Sequence, residues 1–124
     1  MIGATTTVDV SMTHDEIAAI ALSLPGVAES AHFGKRDFRA PKIFMSLPSE
    51  TTANLNLKPD QQLMLADLYP REFSALPNAW GLRGWTALHL DLCDETTARM
   101  AVETAWRNVA PKKLAEQHPP RPAP

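Results

Sequence analysis

The stretch from Thr52 to Lys58 alternates between polar and apolar side chains at every position. Its apolar members are Ala53, Leu55 and Leu57, and its polar members are Thr52, Asn54, Asn56 and Lys58. Because the side chains of a strand point alternately to the two faces of a sheet, this segment predicts a sheet with one buried and one more polar face. Such half-buried strands are typical of antiparallel sheets, since parallel sheets are normally covered on both faces.

Helix signals surround this strand. Thr13 and Glu16 form a capping box, in which each side chain satisfies the backbone N–H of the other residue. Apolar residues follow at helical spacing until Pro25-Gly26, which predicts the end of the first helix. Pro59 suits the first turn of a second helix, and Asp94 suits the N-cap of a third. The predicted apolar side of the second helix is Leu63, Leu65, Leu68 and Tyr69, and that of the third is Ala98, Ala101, Val102, Ala105 and Val109.

The remaining segments complete a two-layer α+β domain, with helices packed on one face of an antiparallel sheet. Short strands around a turn are predicted within 33–39, and further strands over Ile43–Leu47 and Trp85–Leu92. The stretch Arg71–Ala79 is predicted as a loop. We interpret residues 1–11 as a flexible arm, 12–116 as a single domain, and 117–124 as a disordered proline-rich tail.

Composition narrows the class of protein. The 124 residues contain no apolar run near the ~20 that span a bilayer, and the first residues lack the pattern of a secretory signal. The single cysteine, Cys93, has no internal partner for a disulfide, so we expect a cytoplasmic protein without membrane association. Twelve basic and fourteen acidic residues give a net charge of −2, so DNA binding requires the basic residues to be gathered on one face.

Several short strings, taken together in order and spacing, resemble the MmcQ/YjbR family between Thr13 and Glu116. They are Leu24-Pro25-Gly26-Val27, His32-Phe33-Gly34-Lys35, Lys42-Ile43-Phe44, Trp80-Gly81 with Arg83-Gly84-Trp85-Thr86, and Trp106 with Val109-Ala110-Pro111-Lys112-Lys113-Leu114. Members of that family are small bacterial proteins with an α+β fold similar in outline to frataxin. They are commonly labelled DNA-binding. The resemblance therefore implies this fold and a DNA-binding function.

The densest basic cluster gives the first candidate site. Its members, with three cations from other segments, would contact phosphates: Lys35, Arg36, Arg39, Lys42, Arg83, Lys112 and Lys113. On a strand, Lys35 and Arg39 share a face with Asp37 between them, while Arg36 lies on the other face. The alternative is a solvated hairpin whose charges prevent edge-to-edge pairing with other chains.

The string from Trp80 to Trp85 gives a second candidate site. Its tryptophans can stack on a base or another flat ligand, and Arg83 can bind a phosphate or carboxylate in a bidentate manner. The alternative is that both tryptophans anchor the core, with Trp85 the more buried, and that the intervening glycines serve the loop. Asn54 and Asn56 can also line a groove, but we interpret them as the polar residues that any half-buried sheet requires.

Metal binding and catalysis have little support. The four histidines, His14, His32, His89 and His118, lack metal-ligand spacing, and the first helix offers only Asp15 and Glu16 for iron. Cys93 and His89 lack the third group and the oxyanion site of a catalytic pair. We therefore expect no cofactor, no metal and no enzymatic activity. Three hypotheses remain: a DNA-binding module, a module for a small anionic metabolite or a protein partner centred on Trp80–Trp85, or an enzyme accessory without chemistry of its own.

Overall fold

A computed structural model describes residues 11–118, and its centre is a six-stranded antiparallel sheet. The strands are β1 (Ala28–His32), β2 (Lys35–Arg39), β3 (Ile43–Ser49), β4 (Thr52–Asn56), β5 (Phe73–Ala75) and β6 (Trp85–His89), in the spatial order β1-β2-β3-β4-β6-β5. The helices are α1 (His14–Leu22), α2 (Pro59–Leu68), α3 (Ala79–Leu82), α4 (Glu95–Val109) and α5 (Lys112–Glu116), with a 3₁₀ turn at Leu90–Leu92. The predicted α+β class is confirmed.

The predicted helix caps are present. The Thr13 hydroxyl accepts from the Glu16 N–H at 3.1 Å, and the Glu16 carboxylate accepts from the Thr13 N–H at 2.8 Å. At the start of α4 the Asp94 carboxylate accepts from the Thr97 N–H at 2.8 Å. This backbone hydrogen bond lowers the pKa of Asp94, because it favours the charged form of the carboxyl group. Both helices therefore begin where the sequence predicts.

The hydrophobic core lies between the sheet and the helices. The alternation in β4 is confirmed, since Ala53 and Leu55 are fully buried on the face covered by α4, and Leu57 just beyond the strand is buried as well. From the other side, the predicted inward stripe of α4 is buried except for Val109, which packs at the edge of the core. Burial of this apolar stripe, rather than intrinsic helix propensity, holds a helix of this length in place.

Phe73–Ala75 is a strand, so the prediction of a loop over Arg71–Ala79 is wrong there. β5 pairs with β6, and Phe73 opposite Leu88 is almost completely buried. Three residues with a single aromatic show no alternation, and the strand exists because the edge of β6 supplies its hydrogen bonds. The prediction of a strand over Trp85–Leu92 is too long, because the chain leaves the sheet after His89 and forms a 3₁₀ turn.

The buried side of α2 is narrower than predicted. The helix begins at Pro59 as expected, but Leu65 is its one buried residue, while Leu63 and Leu68 are 74% and 61% exposed. At the sheet, α2 packs mainly on β5 and β6, and Leu65 is the residue through which the helix reaches the core. The spacing of apolar residues predicts which side of a helix is apolar, but it does not predict how much of that side is buried against the rest of the protein.

The first hairpin and the following strand also differ in detail. The turn is Phe33-Gly34, so β1 precedes the segment in which the strands were predicted, and β2 is continuous from Lys35 to Arg39. β3 continues through Pro48 to Ser49 instead of turning at Pro48. The Ala40–Pro41 peptide bond is cis. The predicted arm and proline-rich tail lie outside the described residues, apart from Ser11 and residues 117–118. Within residues 11–118, no helix is long and apolar enough to cross a membrane.

Candidate functional site

The sheet face opposite the core, here called the open face, carries a continuous row of small and polar residues. The cross-strand register joins Ser30 to Asp37, Asp37 to Ser46, Ser46 to Asn54, Asn54 to Ala87 and Ala87 to Ser74. Since directly opposed residues of antiparallel strands point to the same face, these side chains form one row across six strands. Asp37, Ser46 and Asn54 lie at its centre.

A groove of about 630 Å³ lies on the open face over the centre of this row. Its floor includes Asp37, Ser46 and Asn54, and its two sides come from opposite ends of the sheet. The residues that line it are Phe33, Lys35, Arg36, Asp37, Arg39, Pro41, Lys42, Ile43, Ser46, Asn54, Leu76, Trp80 and Trp85. The groove therefore brings the two candidate sites of the sequence, the basic hairpin and the tryptophan string, together at one place.

The tryptophan side of the groove is built by α3. Asn78 caps this helix by accepting from the Trp80 N–H at 3.0 Å, and Gln62 donates to the carbonyls of Gly81 and Trp85. Gly81 lies so close to Leu76 that a Cβ there would be 1.8 Å from the Leu76 carbonyl oxygen. The glycine thus permits tight packing of the loop, in agreement with the interpretation that the glycines between the tryptophans serve the loop. This packing fixes the position of Trp80.

Trp80 and Trp85 have different exposures. Trp80 is 54% exposed, whereas Trp85 is half-buried on the open face, and the two rings meet edge to face with centroids 6.4 Å apart. The Arg83 guanidinium lies 5.2 Å from the centre of the Trp80 ring and does not line the groove. Arg83 therefore supports Trp80 through a cation–π contact, in a position different from that of the groove cations.

A third aromatic side chain borders the groove at the opposite hairpin. Phe33 is 91% exposed and has a φ of +53°, next to Gly34 with a φ of +76°. A bulky residue in the left-handed region costs on the order of 1 kcal/mol, and an exposed ring recovers little of that cost by burial. Sequence reasoning did not include Phe33 in either site. Its position in the His32-Phe33-Gly34-Lys35 turn was the available signal.

The predicted phosphate-binding residues do not share one surface. Lys35, Arg39 and Lys42 line the groove, and so does Arg36, but the Arg36 guanidinium is bound by Glu29 at 2.6 Å and Asp15 at 3.1 Å. The hydrogen bond between Glu29 and Arg36 lowers the pKa of the Glu29 carboxyl group and raises that of the Arg36 guanidinium. Lys112 and Lys113 belong to α5, which packs through Leu114 against Gly26 after α1, away from the groove.

Two buried oxygens in the floor of the groove lack hydrogen-bond partners. The Asp37 carboxylate accepts from Arg39 through Oδ1 at 3.1 and 3.2 Å, but its Oδ2 has no partner. The Oδ1 of Asn54 is also buried without a partner. Within residues 11–118, these two oxygens are the buried side-chain oxygen or nitrogen atoms that have no hydrogen-bond partner. Both belong to the central row of the open face. Native proteins pair nearly all such atoms, so this location is informative.

The histidines whose side chains are described have partners within the fold. His14 bonds the Ser49 carbonyl, His89 bonds Ser74 at 2.9 Å, and His118 bonds Glu103 at 3.0 Å. Cys93 is buried, and this burial raises the pKa of its thiol to about 11. Within the described residues, no three His, Cys, Asp or Glu side chains are grouped to hold a metal ion.

The fold and the groove define the class: a two-layer α+β domain with α1 and α4 on one face of an antiparallel sheet and, on the other face, a groove bordered by the short helix α3. The chain belongs to the YjbR family, which its sequence matches over residues 22–108, and the resemblance inferred from the short strings is confirmed. The crystal structure of the Deinococcus radiodurans protein DR2400, described as a DUF419 domain, is similar with a TM-score of 0.65 and 12% identity over 91% of each chain. At this identity the likeness shows the fold alone. No curated protein matches the sequence.

Proposed function

We propose that this domain is a non-catalytic binding module for a small anionic ligand that carries a flat ring. The observation that supports the proposal is the groove itself, which places Trp80 and Trp85 on one side and Lys35 and Lys42 on the other. Ligand sites are typically concave and mostly apolar, with a few polar groups that fix the orientation of the ligand. A ring stacked on the aromatic side would hold its anionic group within reach of the cations.

The charge of the groove favours an anion. Among the described residues, Lys35 and Lys42 form no ion pair, and the Lys35 ammonium donates only to the Pro48 carbonyl at 3.2 Å. Arg39 is shared with Asp37, so it contributes less net charge. Two ammonium groups without carboxylate partners, beside an aromatic surface, suit one phosphate or carboxylate better than the long charged backbone of a duplex.

Duplex DNA is the first hypothesis from the sequence, and the positions of the charges support it less well than a small ligand. Affinity for duplex DNA depends on several cations that meet phosphates along one surface. Here Arg36 is bound to two carboxylates, and Lys112 and Lys113 lie on a different part of the domain from the groove. The net charge of −2 acts against duplex binding as well. A small ligand requires only the local charge of the groove.

Isothermal titration with 1-naphthyl phosphate, a flat ring that carries one phosphate, tests the proposal. We expect the double substitution Lys35→Gln and Lys42→Gln to weaken binding roughly fivefold to tenfold at low salt, because two exposed charge contacts are lost. The matched control removes the same charge from α5, as Lys112→Gln and Lys113→Gln, and should leave the affinity unchanged.

Three results would contradict the proposal. The first is no binding of naphthyl phosphate by the wild-type protein, and the second is an equal loss of affinity in both double variants. The third comes from a parallel titration with duplex DNA at about 50 and about 200 mM salt, the range over which phosphate-driven binding weakens sharply. Salt-sensitive duplex binding that weakens equally in both variants would favour the DNA hypothesis instead.

A further inference from the structure

We infer that the ring bound in this groove is a nucleobase, recognised through N–H groups that it donates to Asp37 and Asn54. The inference rests on the proposed function and specifies its ligand as a guanine nucleotide, whose base carries a ring N–H beside an amino group. It depends on an observation separate from the charge and the aromatic surface: the two buried oxygens without partners in the floor.

Asp37 is the stronger of the two recognition groups. Its side chain is almost completely buried, and Arg39 occupies only Oδ1, so Oδ2 is an acceptor without a donor. Removing such an oxygen from water without a replacement hydrogen bond is unfavourable for folding. A ligand that donates a hydrogen bond to Oδ2 removes this penalty. Relief of the unfavourable burial in the free protein would then contribute to the affinity of the ligand.

Asn54 lies two strands away on the same row. Asp37 pairs with Ser46 and Ser46 pairs with Asn54, which places the Cα atoms of Asp37 and Asn54 about 10 Å apart at the usual spacing of strands. The side chains of Asp37 and Asn54, which project from the two ends of this span, leave room between them for the edge of one ring above Ser46. The buried acceptors therefore face the part of the groove where a planar ligand would lie.

The chemistry of these acceptors selects the ring. An ionised carboxylate only accepts, and Asn54 presents its carbonyl oxygen, so the matching edge carries hydrogen-bond donors. Guanine offers a ring N–H and an amino group side by side, while thymine and uracil offer a single ring N–H on that edge. Stacking on Trp80 and a phosphate near Lys35 and Lys42 complete a nucleotide. A free nucleotide and an unpaired base of a single strand share this chemistry, whereas a duplex hides the edge in base pairs.

Titration of the wild-type protein with GMP, UMP and 1-naphthyl phosphate tests the inference. We expect GMP to bind about tenfold more tightly than either of the others, because it alone satisfies both acceptors. Asp37→Asn replaces the free acceptor with a group of the same size that also donates, and it should reduce GMP affinity about tenfold. It should not weaken naphthyl phosphate binding, because the loss of the carboxylate charge leaves Arg39 free to meet an anion. Asn54→Ala tests the second acceptor independently, and Ser30→Ala, outside the groove on the same row, is the control.

The possible outcomes separate this inference from the proposed function. Equal binding of GMP and naphthyl phosphate, or GMP binding that neither Asp37→Asn nor Asn54→Ala weakens, overturns the nucleobase and leaves an anionic ring site. Failure of every probe to bind overturns both. A short single-stranded DNA with one guanine distinguishes the sources: tighter binding than GMP assigns an unpaired base of a strand, and equal binding assigns the free nucleotide. Thermal unfolding verifies that each variant is folded.

Discussion

Truncation of Trp106 to alanine is expected to lower the free energy of unfolding by about 3–5 kcal/mol, as is typical of large aromatic residues in a core. Trp106 is completely buried in α4, and its indole N–H donates to the Pro25 carbonyl at 3.0 Å. It thus joins the last long helix to the loop that follows α1. Alanine would leave both a cavity and an unpaired carbonyl. Denaturation by urea, monitored by circular dichroism, measures the change.

Two further variants separate the contributions of Trp106. Trp106→Phe keeps most of the ring but removes the hydrogen bond, and it should cost clearly less than the alanine variant. Trp80→Ala removes the same side chain from a 54% exposed position, and its cost should stay below about 1 kcal/mol. A Trp106→Ala protein within about 1 kcal/mol of the wild type would show that this residue does not anchor the core.

Trp80→Ala is expected to reduce the affinity for a ring phosphate by roughly fivefold to a hundredfold, with little change in stability. The estimate follows from the ~1–3 kcal/mol that stacking of one base on an aromatic side chain contributes. Titration with GMP or naphthyl phosphate gives the value. Leu82→Ala is the matched control, because Leu82 lies in the same short helix and is 84% exposed but does not line the groove. Equal affinities of the wild-type and Trp80→Ala proteins would show that Trp80 does not contact the bound ring.

Local signals predicted the helices and the central strand well. The capping box at Thr13, the cap at Asp94 and the alternation across β4 are determined by residues within a few positions of one another, so they are visible in the sequence. β5 was missed because its strand character comes from pairing with β6 along a non-local edge. Leu63 and Leu68 of α2 were assigned to the apolar side of the helix but are exposed, since burial depends on which other elements pack against a helix.

The candidate site was predicted in pieces. The basic hairpin and the Trp80–Trp85 string were each identified, yet nothing in their spacing shows that they face each other. Their meeting results from the strand order, in which β3 and β4 alone separate the β1–β2 hairpin from β6, where the tryptophan string ends. The pairing of Arg36 with Asp15 and Glu29, and the unpaired oxygen of Asp37, depend on the same long-range register.

Binding of ligands on the open face of the sheet can be tested directly through the three tryptophans of the chain. Each indole N–H gives its own signal in a ¹H–¹⁵N NMR spectrum, and single Trp→Phe variants assign them. On titration with GMP, we expect the signals of Trp80 and Trp85 to shift together while that of Trp106, buried in the core, stays in place. Saturable binding that leaves Trp80 and Trp85 unmoved, with shifts confined to α5 and the helix layer, would contradict binding on the open face.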